Sequence, residues 1–144
     1  PDAVVILLGA NDKVGKNDTG FVADYAGLLT MLAARYAYMG GRGGEPTRFI
    51  SVGGGSSNGL TPELTAGILA AHAKYEAEAR ENASKTPGAP APPKAYYTEP
   101  HNATWWEINK DPSVYKGCNG HYSPKGHQVL ADAVIADIKR FLDA

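Results

Sequence analysis

Six consecutive apolar residues, Ala3-Val4-Val5-Ile6-Leu7-Leu8, follow Pro1-Asp2 and stop at Gly9. A continuous run rich in branched residues suits a strand buried on both faces of a parallel sheet. After a polar stretch through Asn17 and Asp18, Val22, Tyr25, Leu28, Leu29, Leu32 and Tyr36 recur at helical spacing and end before Gly40-Gly41. That spacing predicts a covering helix. Arg48 to Val52 reads as a second strand, closed by Gly53-Gly54-Gly55-Ser56-Ser57-Asn58-Gly59. Thr61-Pro62 opens a long helix striped by Leu64, Ile68, Ala71, Tyr75 and Ala79, with His72 beside the stripe as a packed or half-exposed residue. Lys94 to Thr98 make a third strand, and Leu130, Val134, Ile138 and Phe141 stripe a final helix. Ser123 is placed to cap that helix and Pro124 to occupy its first position, where no N–H is missed.

Strand and helix thus alternate three times, which argues for right-handed crossovers and a parallel sheet with helices on both faces. The expected fold is a three-layer α/β/α single domain over residues 1–144, and the segment from Thr86 to Pro93, holding four of the ten prolines, is a flexible connector within it. In such sheets ligands bind outside the carboxyl ends of the strands. The loops that land there are Gly9 to Asp12, Gly53 to Gly59 and Glu99 to Trp106, and the loop carrying His121 is placed to join them. Three strands make a thin sheet. The first strand has no neighbour on one side, so an exposed hydrophobic edge is expected.

With 144 residues, 43% hydrophobic and 20% charged, the chain is sized for one core. A net charge of −1 points to no polyanion, hence to no nucleic-acid partner. No apolar run approaches the ~20 residues of a membrane span, so no membrane partner is expected. There is no initiator Met and no basic-then-apolar signal segment, and the chain reads as a processed or excised piece. Three acceptor sequons, at Asn17, Asn82 and Asn102, exceed chance for a chain with seven Asn and favour a secreted, extracellular glycoprotein. The single cysteine, Cys118, allows no internal disulfide; in an exported protein it would pair with a cysteine of another chain. His72, His101, His121 and His127 lack a zinc-binding spacing, and no cofactor or metal is implied.

The chemistry-bearing stretch is Gly117-Cys118-Asn119-Gly120-His121-Tyr122, directly before the final helix. A neutral imidazole there suits taking a proton from a hydroxyl, although a histidine before a helix is also a common loop residue. Together with Gly9-Ala10-Asn11-Asp12 after a buried strand, this segment resembles the SGNH (GDSL-type) hydrolase superfamily, and within it carbohydrate esterase family 2, the acetyl esterases. The resemblance covers the second half of that fold from its third strand onward. It implies a flavodoxin-like fold type and a serine ester hydrolase, with His121 as general base and the Asn11 side-chain amide in the oxyanion hole. Gly9 starts the same loop and is counted with the substrate-binding residues. By itself Asn11 reads as a loop residue bonding its own backbone; it is the pairing with His121 that favours the oxyanion role.

Two features of that family are absent from this chain. Its Gly-Asp-Ser-like nucleophile block and its second oxyanion glycine have no counterpart, so the serine is expected from a missing N-terminal segment, with the N-terminal half of the domain as a partner chain or fragment. The acidic residue that orients the histidine is also replaced, since position 118 is Cys and position 119 is Asn. Asn119, or a backbone carbonyl, is then the orienter, giving a Ser-His dyad; Glu107 and Asp111 are carboxylates that other loops would have to bring. A rival reading stays within the chain, because Gly55-Ser56-Ser57-Asn58-Gly59 fits G-x-S-x-G, with Ser57 as nucleophile, Glu99 or Asp111 as acid and His121 as base. Trp105 and Trp106 follow the third strand and are either a platform for pyranose rings or core filler. The expected substrate is an acetylated polysaccharide such as acetylated xylan. The competing class is a carbohydrate-binding remnant without turnover.

Overall fold

A computed structural model describes residues 1–8, 18–36, 44–53, 61–88, 91–100, 102–117 and 121–143. Three strands, β1 (Ala3–Ile6), β2 (Arg48–Val52) and β3 (Ala95–Thr98), form one parallel sheet in the order β1-β2-β3. Ile6, Ser51 and Tyr97 share one row across it. The α/β class and the parallel pairing are as the alternation predicted. Among the described residues five helices accompany the strands: α1 (Thr19–Tyr36), α2 (Pro62–Lys85), α3 (Asn102–Lys110), α4 (Pro112–Tyr115) and α5 (Pro124–Asp143).

The local signals act where the sequence places them. The Thr61 hydroxyl accepts from the Leu64 N–H at 3.2 Å and Pro62 starts α2, removing one of the orphan donors of a helix start. Ser123 does the same for α5: its hydroxyl accepts from the Gly126 N–H at 3.1 Å and donates to the Val114 carbonyl at 2.6 Å. The Asp18 carboxylate accepts from the Phe21 N–H at 2.9 Å at the start of α1.

Alternation along the strands divides the apolar residues between two faces. Ile6 and Phe49 join Tyr25 and Leu29 of α1 and Leu64, Ile68, Ala71 and Tyr75 of α2 in one buried cluster, with Val4 packed against it. Tyr75 also donates to the Pro93 carbonyl at 2.8 Å, tying α2 to the segment that leads into β3. On the other face α5 lies across β2 and β3. Asp137 accepts from the Thr98 hydroxyl at 2.6 Å, and one turn later Phe141 stacks on Tyr96 with centroids 4.7 Å apart. That order of contacts makes α5 antiparallel to the strands, with its first turn beyond their carboxyl ends.

Two expectations are corrected. β1 is not buried on both faces: Val5 keeps 52% of its surface exposed, with Leu7 and Leu8 equally open beyond it. One face of β1 is covered by α1 and α2, whereas α5 packs mainly on β2 and β3; the exposed apolar edge foreseen for the first strand is present. The segment after β3 is not an open rim loop but the helix α3, anchored by the fully buried Ile108. Asn82, one of the sequons, lies within α2.

Gly126 sits in the first turn of α5 against α4, and a Cβ there would meet the Tyr115 carbonyl oxygen at 2.2 Å. Gly-to-Ala changes inside helices normally gain about 1 kcal/mol. Here the clash with backbone should reverse the sign, so Gly126→Ala is expected to lose ~2 kcal/mol or more in urea unfolding. A variant as stable as the parent would refute the close approach of the two helices.

Candidate functional site at the carboxyl rim

The first turn of α5 positions the loop that carries His121. Lys116 and Tyr122 form an antiparallel bridge, the Gly117 N–H donates to the His121 carbonyl at 2.8 Å, and the Ser123 N–H donates to the Tyr115 carbonyl at 3.0 Å. These bonds fix the backbone at His121 and the two residues after it, and the imidazole is exposed. Tyr122 turns inward, with its ring edge-on to His127 at 5.6 Å, and burial pushes its hydroxyl up to about 12. Since α5 begins beyond the carboxyl ends of the strands, His121 overhangs the rim on which parallel sheets bind ligands.

Its predicted companions are placed as follows. Gly9, Asn11, Asn119, Cys118 and Ser57 lie outside the described residues, as does the side chain of Trp105. Trp106 lies on α3 with 66% of its surface exposed and the Lys110 ammonium 5.2 Å from its ring centroid. It is therefore not core filler. The two carboxylates considered as orienters have other partners: Glu107 accepts from the Tyr115 hydroxyl at 3.2 Å and Asp111 from the Ser113 hydroxyl at 2.5 Å. Both are surface residues.

Two further features at the same end of the sheet escaped the sequence reading. The first is a buried polar chain under α1 and α2. The Tyr25 hydroxyl donates to Ser51 Oγ at 2.9 Å, and Ser51 Oγ lies 2.8 Å from His72 Nε2. Ser51 has no exposed surface and His72 only 6%. With Tyr25 donating, the assignment that satisfies every atom has Ser51 give its proton to Nε2 and the imidazole carry its own on Nδ1. Next to it, the Tyr97 hydroxyl lies 3.1 Å from Thr65 Oγ1 and donates to Glu99 at 2.8 Å; burial is the main cause that raises its pKa. Nothing local marks Ser51 in a strand or His72 on a helix as partners 21 residues apart.

The second feature is an apolar groove of about 430 Å³ on the opposite face. Val5 and Leu7 form one wall, Leu130, Val134, Ile135 and Ile138 of α5 the other, and Val52 and Gly53 the floor between them, with His127 and Pro100 at the rim end. His127 had been set aside for want of a metal-binding spacing; its signal was the α5 stripe one position away. Among the described residues no three His, Cys, Asp or Glu side chains converge as they would around a metal, and no helix is long and apolar enough to cross a membrane.

Fold and rim define a parallel α/β unit with a histidine loop at the carboxyl ends of its strands. No family model matches the chain, and neither a curated protein nor a solved structure is similar to it.

Burial lowers the His72 pKa from 6.5 to about 4. Between those values the unfolded chain binds a proton that the folded chain refuses, so the stabilisation is complete above pH 6.5 and is lost as pH falls toward 4. The shift corresponds to at most about 3 kcal/mol. Protonation would also make Nε2 a donor and leave the Ser51 proton without an acceptor. Urea unfolding at pH 7 and pH 4.5 should show a steeper loss for the parent than for His72→Gln, which keeps a partner for Ser51 but does not titrate; equal slopes would exclude this role.

Proposed function

We propose that this chain is the histidine-bearing part of an SGNH-type serine esterase, of carbohydrate esterase family 2 character, that removes acetyl groups from polysaccharides outside the cell. The observation that carries the reading is the His121 loop, held by backbone bonds at the first turn of α5 beyond the carboxyl ends of a parallel sheet. In the sequence Asn11 comes five residues after Ile6, the last residue of β1, which supports Asn11 as the companion of His121. The order β1-β2-β3 with β1 at an edge is what the second half of such a fold would present.

In the proposed reaction a serine from a second polypeptide segment attacks the acetyl carbonyl carbon while His121 takes its proton. The Asn11 amide donates to the oxyanion that develops on the carbonyl oxygen. Collapse breaks the bond to the sugar oxygen, which leaves with the proton from the imidazolium, and water then repeats the sequence on the acetyl-serine. Asn119 or a backbone carbonyl accepts from Nδ1–H and holds the tautomer, because Glu107 and Asp111 are engaged elsewhere. Trp106 offers a flat face for a pyranose ring.

A second reading is a carbohydrate-binding remnant, favoured by the exposure of Trp106 alone. Turnover of p-nitrophenyl acetate and acetylated xylan, measured with and without an N-terminal segment bearing the serine, separates the two. The esterase reading expects activity only in the combination, with losses of about 10²–10⁴-fold in His121→Ala and about 10²–10³-fold in Asn11→Ala. Saccharide binding that Trp106→Ala abolishes, with no turnover in any combination, would install the remnant in its place. Activity of the chain alone that Ser57→Ala removes would give the reaction to the in-chain serine.

A further inference from the structure

We infer that the outer edge of β1 and the groove beside α5 are one docking surface, and that its occupant is a strand–helix segment of another polypeptide. An apolar strand of that segment adds to β1, and its amphipathic helix lies beside α5 in the groove. The inference names the docking partner that the proposed function requires; it rests on that reading only for the serine the partner would bring.

The edge and the groove are the same residues seen from two directions. The Arg48 N–H donates to the Asp2 carbonyl at 3.1 Å, so Asp2, Val4 and Ile6 turn their backbone groups toward β2. Ala3, Val5 and Leu7 then turn theirs outward, and among the described residues no strand meets them. Val4 and Ile6 face the α1 and α2 layer, whereas the side chains of Val5 and Leu7 form the groove wall. Nothing guards this edge: residues 3–8 carry no charge, no proline and no bulge of the kind that blunts edge strands.

The groove is also continuous with an interface already in place, the packing of α5 on β2 and β3, and extends it onto β1. On the far face two helices, α1 and α2, lie side by side against the strands; on this face, among the described residues, α5 packs on β2 and β3 with α3 and α4 against it, and its side toward β1 is open. A helix beside it repeats that arrangement. Small ligands are held by a few convergent polar groups, and among the described residues the only polar side chain lining this groove is His127, at one end. An apolar small molecule would also leave the β1 backbone groups without partners. A second copy of the chain would pair edge to edge about a two-fold axis, but each copy brings only its own α5, so both grooves would stay empty.

The test uses the full chain and a synthetic peptide made of a five-residue valine-rich strand, a Gly-Asn-Gly turn and an 18-residue helix with Leu at i, i+3, i+4 and i+7. Binding is read by calorimetry, assembly by sedimentation, and backbone pairing by NMR amide exchange at Val5 and Leu7. The docking surface predicts a saturable 1:1 complex in which both amides exchange at least tenfold more slowly. Val5→Lys and Ile135→Glu, both at half-exposed positions, should each weaken binding at least tenfold while leaving the thermal midpoint near that of the parent. Absence of saturable binding, or binding that neither substitution affects, overturns the proposal. So does protection of Val5 and Leu7 in a homodimer formed without peptide, or displacement of the peptide by decanoate with the amides unprotected. Docking without esterase turnover by a serine-bearing version of the peptide would sink the catalytic reading and leave the docking surface standing.

Discussion

Phe49 and Ile50 are adjacent in β2, neither has any exposed surface, and alternation sends them to opposite faces of the sheet. A central parallel strand of this kind requires an apolar layer on each side. Much of the rest of the structure answers that requirement. The α1–α2 pair covers the face of Phe49 with Leu29, Ile68 and Tyr75, and α5 covers the face of Ile50. The second layer stops at β2. The exposure of Val5 and Leu7, and the groove beside α5, follow from that shortfall and not from any polar character of the first strand.

The layer that is complete carries a polar element in its middle. Burying Tyr25, Ser51 and His72 costs solvation that only mutual hydrogen bonds offset, and a hydrogen bond left unmade there costs about 1–3 kcal/mol. The chain of bonds from α1 through β2 to α2 therefore discriminates against sliding either helix along the sheet, since a shift of one turn would leave a buried hydroxyl or imidazole without a partner. Apolar packing alone tolerates such shifts better. The same network makes this layer sensitive to acid, because the imidazole is held neutral by burial.

The rim is built differently. His121 is held through its own carbonyl and the backbone that follows it while its side chain stays open, and the Ser123 hydroxyl joins α4 to the start of α5. Its imidazole is presented to solvent on a backbone held by hydrogen bonds. His72 is its opposite, with a buried ring and a committed nitrogen.

Periodicity along the chain determined where the strands and the three long helices run, because an apolar stripe at 3.6 or a continuous branched run reports burial of one element at a time. It also determined the helix starts at Thr61 and Ser123 and the bare edge of β1, each of which depends on neighbours within a few residues or on a count of strands, while leaving His72 either packed or half-exposed. The short helices α3 and α4 escaped it, since one buried Ile108 anchors α3 and no stripe forms. Only the tertiary structure decided that Ser51 meets His72 and Tyr25, that Gly126 must lack a side chain beneath Tyr115, and that Val5 shares a groove with Ile135. Those pairings depend on how far each helix slides and turns on the sheet, and no local period in the chain records that.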